Sequence, residues 1–223
     1  MYKFILFILL TTSSVEINAQ SIQLDKTKLT PVNVSMLITQ VDGKEAVRVV
    51  KDSTVREVDE PTFVKINGID FKNGVIKVNV LSRLLPNAPD SARGFIGITF
   101  HVNDDNSKFN GIYIRPTNAR AIQQIRRNHT IQYFSYPNYK YNILRSVAPG
   151  VYESYADMEL NKWIEIKIVV KDAQAILYLD NNSQPSLIVN DLKYIPNKPG
   201  AIGLFVDIGT EGFFSDVEIT KGN

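Results

Sequence analysis

Residues 163–180 read WIEIKIVVKDAQAILYLD, two runs rich in Ile, Val and Leu on either side of a short polar break. Side chains of this kind fit the pleated, half-buried surface of a sheet and are typical of β-strands. The break at residues 172–174 has the length of a hairpin loop. The segment is therefore predicted to form two antiparallel strands.

Similar runs recur on the N-terminal side. Residues 75–81 (VIKVNVL) alternate strictly, which places Ile76, Val78 and Val80 on one face of a strand. Residues 95–102 (FIGITFHV) are almost continuously apolar, which predicts a central strand of a sheet.

Turn residues separate the runs. Asp42-Gly43 is a strong two-residue hairpin signal between residues 36–41 and 45–50. Asn67-Gly68 predicts a second turn, after a strand at residues 62–66. About a dozen short strands at fairly regular spacing, without a convincing long helix, predict an all-β sandwich or barrel. Of these we expect the two-sheet antiparallel β-sandwich, or jelly roll.

Composition limits the class of protein. The 223 residues suffice for one domain with a full core. Twenty-five basic and 23 acidic residues give a net charge of +2, too balanced for nucleic acid to be expected as the main partner. There is no cysteine, which excludes a disulfide framework and a lipid anchor on cysteine.

The N-terminus has the layout of a secretory signal peptide. Lys3 precedes an apolar run, residues 4–10 (FILFILL), which is too short to span a bilayer, and small and polar residues follow. We expect cleavage after Ala19 and a secreted or periplasmic protein. The predicted organisation is a signal peptide at 1–19, a polar lead at 20–30 and a β-sandwich at 31–221.

A Tyr- and Arg-rich insert, residues 116–157, interrupts the regular strands. Residues 119–127 have a weak helical period, from Ile122 and Ile125, which predicts one or two helical turns. Tyrosine offers an apolar face with a hydroxyl, and arginine offers a fork of donors, which together suit saccharides. The alternative is that the tyrosines pack the insert against the sheet under the arginines. The candidate binding residues are Arg115, Asn118, Arg120, Arg127, Tyr133, Tyr136, Tyr139, Tyr141 and Tyr155.

Three residues of the same stretch are candidates for catalysis. His129 could act as a general acid or base, and Glu153 and Asp157 could supply the carboxyl groups of a glycosidase. A lyase would instead pair a Tyr or His base with an Arg or Asn that neutralises a uronate. A structural histidine and ordinary surface carboxylates are the alternatives.

No metal site or cofactor is predicted. Asp104, Asp105 and Asn106 offer oxygen ligands of the kind that calcium prefers. Their spacing matches no defined calcium loop, and a polar hairpin turn accounts for them.

The C-terminal third carries a family resemblance. Its segments are NKW at 161–163, AILYLDN at 175–181, GAIGL at 200–204 and FSDV at 214–217. They resemble the laminin-G-like, concanavalin A-like lectin/glucanase superfamily, which implies a β-sandwich over about residues 71–220. Its members include lectins, carbohydrate-binding modules, glycoside hydrolases, polysaccharide lyases and adhesion domains.

A narrower likeness concerns the insert. YIRPTN at 113–118 and RRNHT at 126–130 resemble secreted bacterial relatives of the 3-keto-disaccharide hydrolase group. That likeness assigns no catalytic residue. The E-x-D-x-x-E strand motif of laminarinase-type glycosidases is absent, and ESYADME at 153–159 has different spacing.

Three hypotheses of function follow. The first is a secreted protein that binds or processes a poly- or oligosaccharide through the Tyr/Arg-rich surface. The second is a glycoside hydrolase or polysaccharide lyase that uses His129 and a nearby carboxylate. The third is a protein-interaction domain of a surface complex. On the first hypothesis, Tyr136→Ala or Arg127→Ala should abolish binding and leave the fold intact.

Overall fold

Fifteen strands form two antiparallel sheets in the computed structural model, which describes residues 19–222. The strands are β1 Ala19–Ser21, β2 Leu29–Val32, β3 Val34–Val41, β4 Lys44–Lys51, β5 Phe63–Phe71, β6 Gly74–Leu84, β7 Ile96–Val102, β8 Phe109–Ile114, β9 Ile131–Tyr136, β10 Glu153–Ser154, β11 Ile164–Lys171, β12 Gln174–Leu179, β13 Leu187–Val189, β14 Gly200–Val206 and β15 Thr210–Lys221. The helices are short: α1 Pro116–Ala119, α2 Gln124–Asn128 and α3 Tyr141–Val147, besides a 3₁₀ turn at Lys26–Lys28.

The predicted fold class is confirmed. The first sheet has the order β13-β12-β11-β6-β15-β4-β3, and β1 pairs with the C-terminal end of β15, at residues 218–220. The second sheet has the order β10-β9-β8-β7-β14-β5-β2. Every pairing is antiparallel, and the two sheets enclose one main core, as in a β-sandwich.

Strand alternation builds that core as predicted. Ile76, Val78 and Val80 of β6 are fully buried, whereas the residues between them are partly exposed. The hairpin of β11 and β12 is present, and its inward side chains join the same cluster. Ile98 and Phe100 of β7 meet them from the second sheet.

The second sheet is buried on its outer face as well. An aromatic cluster lies there, in which every ring is at most 1% exposed: Phe63, Phe109, Tyr113, Phe134 and Phe205. Two loops meet on this side, one before β5 and one after β9. The backbone N–H of Tyr141 donates to Asp59 at 2.7 Å, and Lys140 forms an ion pair with Glu60. These two loops therefore cover part of the outer face of the second sheet.

The turn predictions had different outcomes. Asp42-Gly43 is the hairpin turn expected, with φ of 53° and 77°, the positive values that a type I′ turn requires. The turn predicted at Asn67-Gly68 is wrong, because β5 continues through it. The pairing of β5 with β14 shifts register there, so the pair forms an irregularity within a strand.

The helical period in the insert does not mark a buried face. Residues 119–127 span parts of α1 and α2, so helical turns are present. Ile122 is nevertheless 98% exposed and Ile125 62% exposed. The core contact that normally fixes an amphipathic helix is missing here.

The residues expected to form a polar lead pair with the sheets. Gln20 lies opposite Ile219 of β15, and Leu29 lies opposite Ile66 of β5. Leu24 between them is buried. The predicted signal peptide lies outside the described residues, apart from Ala19. Within residues 19–222, no helix has the length and apolar character needed to cross a membrane.

Candidate functional site

A pocket of about 280 Å³ opens on the outer side of the second sheet, beside the aromatic cluster. Its lining includes four rings together with charged and amide groups: Phe95, Tyr113, Tyr141, His129, Arg93, Arg115, Arg126, Arg145, Asp59 and Asn118. We call it the arginine pocket.

Strand β8 places the floor of the arginine pocket. Its alternation turns Ile112 and Ile114 into the main core and Tyr113 to the outer face. Gly97 of β7 lies opposite Tyr113, and a Cβ there would be 2.2 Å from the carbonyl oxygen of Ile112. Only glycine lets these backbones approach so closely.

Arg115 follows β8 and is held from several sides. Its Nη2 donates to the Tyr113 hydroxyl at 2.9 Å and to Gln132 at 3.2 Å, and its Nη1 donates to the carbonyl of His129 at 2.8 Å. The guanidinium carbon lies 5.0 Å from the centre of the Tyr113 ring and 5.9 Å from that of Tyr141. These contacts hold the guanidinium group of Arg115 in one position before any ligand binds.

Glu153 lies behind the pocket wall and contacts three residues of the lining: Arg115, Arg145 and His129. Oε1 lies 3.4 Å from Arg115 Nη1, Oε2 accepts from Arg145 Nε at 3.1 Å, and His129 Nε2 lies 3.4 Å from Oε2. The structure thus brings together the predicted pair His129 and Glu153. Burial lowers the pKa of His129, partly opposed by the negative charge of Glu153.

Asp59 also lines the pocket, although it was not predicted from the sequence as a site residue. It is 1% exposed, and its Oδ2 accepts from the Tyr141 backbone N–H. Oδ1 has no hydrogen-bond partner among the described residues. Burial raises the pKa of Asp59 to about 6, and the charge of Asp207 acts in the same direction. In the sequence Asp59 stands in a polar loop, REVDE at 56–60, with no sign of burial.

Several predicted binding residues lie elsewhere on the insert. Arg120 holds Asp157 through two hydrogen bonds of 3.0 Å, and both side chains are 57% exposed. Arg127 stacks on Tyr155, 5.1 Å from its ring centre, and donates to its hydroxyl at 3.0 Å. These two pairs are surface contacts outside the pocket lining. The structure does not place Asp157 with His129 and Glu153.

Three other predicted binding residues, Tyr133, Tyr136 and Tyr139, also lie outside the arginine pocket. Tyr133 is fully buried, and its hydroxyl donates to Asn110 at 2.8 Å and accepts from the Lys193 N–H at 2.7 Å. Tyr136 stacks on Phe109, with ring centres 5.2 Å apart. Tyr136 and Tyr139 line a smaller pocket of about 150 Å³. Of the nine predicted binding residues, the arginine pocket collects Arg115, Asn118 and Tyr141.

The acidic turn at residues 104–106 is held by protein partners. Asp104 pairs with Lys198 at 2.6 Å, Asp105 accepts from Ser107, and Asn106 accepts from Lys65 at 3.0 Å. Residues 19–222 contain no group of three or more His or acidic side chains placed to hold a metal ion.

Comparison with solved structures confirms the β-sandwich. The carbohydrate-binding module CBM66 from Bacillus subtilis superposes with a TM-score of 0.59 at 14% identity, covering 86% of this chain and 96% of that one. A Bacillus subtilis protein of unknown function with a galectin-like fold gives 0.52 at 11% identity, covering 87% and 90%. A structure described as a native glycosidic hydrolase gives 0.51 at 13% identity, covering 95% and 99%. No family model and no curated protein matches the sequence.

Proposed function

We propose that this protein is a secreted or periplasmic carbohydrate-binding protein that takes its ligand into the arginine pocket. The observation that carries the proposal is the lining itself, because flat rings lie beside fixed donors and acceptors in one cavity. Tyr141 and Phe95 offer apolar faces, Arg126 and Asn118 offer donors, and Asp59 offers an acceptor. Saccharides present the complementary apolar faces and hydroxyl groups.

The dimensions favour a sugar unit over a flat polysaccharide surface. A volume of about 280 Å³ is at the small end of ligand pockets. Rings of the outer face that could have formed an open platform, such as Phe109 and Phe134, are fully buried. The proposed ligand is therefore a chain end or a short oligosaccharide. The shared fold with a carbohydrate-binding module supports the same class of ligand.

Affinity electrophoresis tests the proposal. The purified protein is run through native gels that contain plant, algal or host polysaccharides, and short oligosaccharides of each class are titrated calorimetrically. We expect retardation by at least one class and binding of its oligosaccharides. Unchanged mobility in every gel, with no heat of binding, would refute the proposal.

An enzyme is the second candidate, favoured by one observation. The pocket lining includes the buried carboxyl group of Asp59, whose Oδ1 has no hydrogen-bond partner within residues 19–222, and His129, which contacts Glu153 behind the wall. A proton donor and a base are what a glycoside hydrolase or polysaccharide lyase needs. The likeness of the insert to the 3-keto-disaccharide hydrolase group favours the same class of activity.

Product analysis separates the two candidates. A polysaccharide that retards the protein is incubated with it, and new reducing ends and unsaturated uronate are measured. Turnover that is lost in Asp59→Asn and His129→Gln would establish the enzyme. Binding without any product would leave the carbohydrate-binding protein.

A further inference from the structure

The arginine pocket contains more positive than negative charge. Four guanidinium groups line it, from Arg93, Arg115, Arg126 and Arg145, whereas Asp59 is its one carboxyl group within the described chain. Glu153 supplies a second carboxylate from behind the wall. A cavity with an excess of one sign of charge attracts a ligand of the opposite sign.

Two of the four arginines have a counter-charge. Glu153 pairs with Arg145 through Nε at 3.1 Å and with Arg115 through Nη1 at 3.4 Å. This carboxylate therefore belongs to the wall, and its charge is already shared between two cations.

The other two, Arg93 and Arg126, have no salt bridge within residues 19–222, and the Asp90 carboxylate acts on Arg93 only weakly, from beyond salt-bridge distance. Arg93 donates to the carbonyl oxygens of Asp90 and Ala92, and Arg126 donates to the side-chain oxygen of Asn118 at 3.1 Å. Carbonyl and amide oxygens orient a guanidinium group but do not neutralise it.

Arg93 and Arg126 line the same pocket without a salt bridge in the described chain, so their positive charges act on each other. The pKa of Arg93 is lowered, first by burial and then by the positive charges of Arg126 and Arg115, and the negative charge of Asp90 opposes this shift only in small part. Partly desolvated like charges raise the free energy of the empty pocket, and an anion between them would relieve it. Planar guanidinium groups also match carboxylate and sulfate through paired hydrogen bonds.

We infer that the arginine pocket recognises an acidic saccharide, with the anionic group of the sugar, a uronate carboxylate or a sulfate, bound by Arg93 and Arg126. This inference rests on the proposed function and narrows its ligand. The aromatic rings would contact the faces of the sugar, and Asp59 would accept from its hydroxyl groups. Arg93 and Arg126 would make the pocket selective for a negatively charged sugar.

The test compares each acidic polymer with its own neutral form. Polygalacturonate and alginate are measured against their carboxyl-reduced products, and a sulfated galactan against its desulfated product, by affinity electrophoresis and calorimetry. We expect one acidic polymer to bind at least about tenfold more tightly than its neutral form. We also expect the difference to shrink as salt is raised. The carboxylate and sulfate arms identify the anion.

Matched variants locate the effect. Arg93→Gln and Arg126→Gln should each weaken binding of the acidic polymer about tenfold more than they weaken binding of its neutral form. Arg120→Gln removes an arginine of the same insert that lies outside the pocket, and it should leave both affinities unchanged. Thermal unfolding confirms that all three variants are folded.

Three results would count against the inference. Equal affinity for acidic and neutral forms would overturn it while leaving saccharide binding intact. An equal loss for both forms in Arg126→Gln would mean that Arg126 only supports the shape of the pocket, and would also overturn it. Absence of binding to every polymer would refute the proposed function and this inference together.

Discussion

Glu153 holds Arg145 with both carboxylate oxygens, Oε2 accepting from Nε at 3.1 Å and Oε1 from Nη2 at 2.5 Å. The same carboxylate faces the buried Arg115, and the Glu153 and Arg115 side chains are only 3% and 6% exposed. Loss of one partner leaves a buried charge uncompensated. We expect Glu153→Gln to lower the free energy of unfolding by about 3 kcal/mol, measured by urea denaturation.

Asp157→Asn is the matched control for that experiment. It neutralises a carboxylate that also pairs with an arginine of the insert, Arg120, but both side chains are exposed to solvent. Exposed pairs contribute little, so we expect no measurable change. Equal effects of the two substitutions would contradict the role given to Glu153.

Asp59 should make stability depend on pH. Its surroundings are the backbone N–H of Tyr141, the carboxylate of Asp207, the guanidinium of Arg115 and the Tyr113 hydroxyl, and burial raises its pKa from 3.8 to about 6. Between these values the folded protein binds the proton and the unfolded chain does not. Stability from this group therefore falls as pH rises from 4 to 6 and is constant above.

The comparison of wild type with Asp59→Asn isolates this contribution. We expect similar stability at pH 4 and a relative gain of the variant that grows to about 3 kcal/mol above pH 6. Chemical denaturation across this pH range measures it. A difference independent of pH would mean that Asp59 titrates normally in the folded protein.

Tyr141 should matter for binding, and Tyr155 should not. Both rings lie beside an arginine, at 5.1 Å from Arg145 and from Arg127 respectively, but Tyr141 lines the arginine pocket and Tyr155 does not. We expect Tyr141→Ala to lower saccharide affinity about tenfold or more, because a ring face is lost. Tyr155→Ala should bind as the wild type does.

The same geometry revises the expected effect of Arg127→Ala. Arg127 contacts Tyr155 on the surface and does not line the pocket. We now expect this variant to retain its affinity. Calorimetry with the best-binding oligosaccharide distinguishes the cases, and a loss in Arg127→Ala or Tyr155→Ala would move the site to the outer surface of the insert.

Gly97→Ala should destabilise the fold beneath the pocket. The added methyl would lie 2.2 Å from the carbonyl oxygen of Ile112 and 2.5 Å from the Cα of Tyr113, both backbone atoms that cannot rotate away. We expect a loss of about 2 kcal/mol or more in urea denaturation. An unchanged midpoint would show that β7 and β8 can separate without penalty.

The sheets were predictable because their signals are local. Alternation at Ile76, Val78 and Val80 reports which face is buried, and Asp42-Gly43 has the φ angles that its turn type needs. Asn67-Gly68 misled because the same residue types also suit an irregularity within a strand. Only the partner strand decides between these outcomes.

The site was predictable only in part, because long-range contacts assemble it. Arg115, His129 and Glu153 were candidates by chemical type within one stretch of the sequence, residues 115–153, and the structure brings them together. Asp59 precedes them by more than 50 residues and reaches the pocket through the loop before β5. Tyr133 looked like its neighbours in the sequence, but strand alternation turns it into the core.

The walls of the arginine pocket come from chain segments that are far apart: residues 58–59, 91–95, 113–145 and Ile208. The pocket therefore forms only when these segments are folded against the second sheet. The unfolded chain has no such binding site. Any bound molecule acts as a reporter of complete folding, adding about 2.7 kcal/mol to global stability at a hundredfold excess over its Kd. A rise in melting temperature can therefore identify the natural ligand from an unlabelled library.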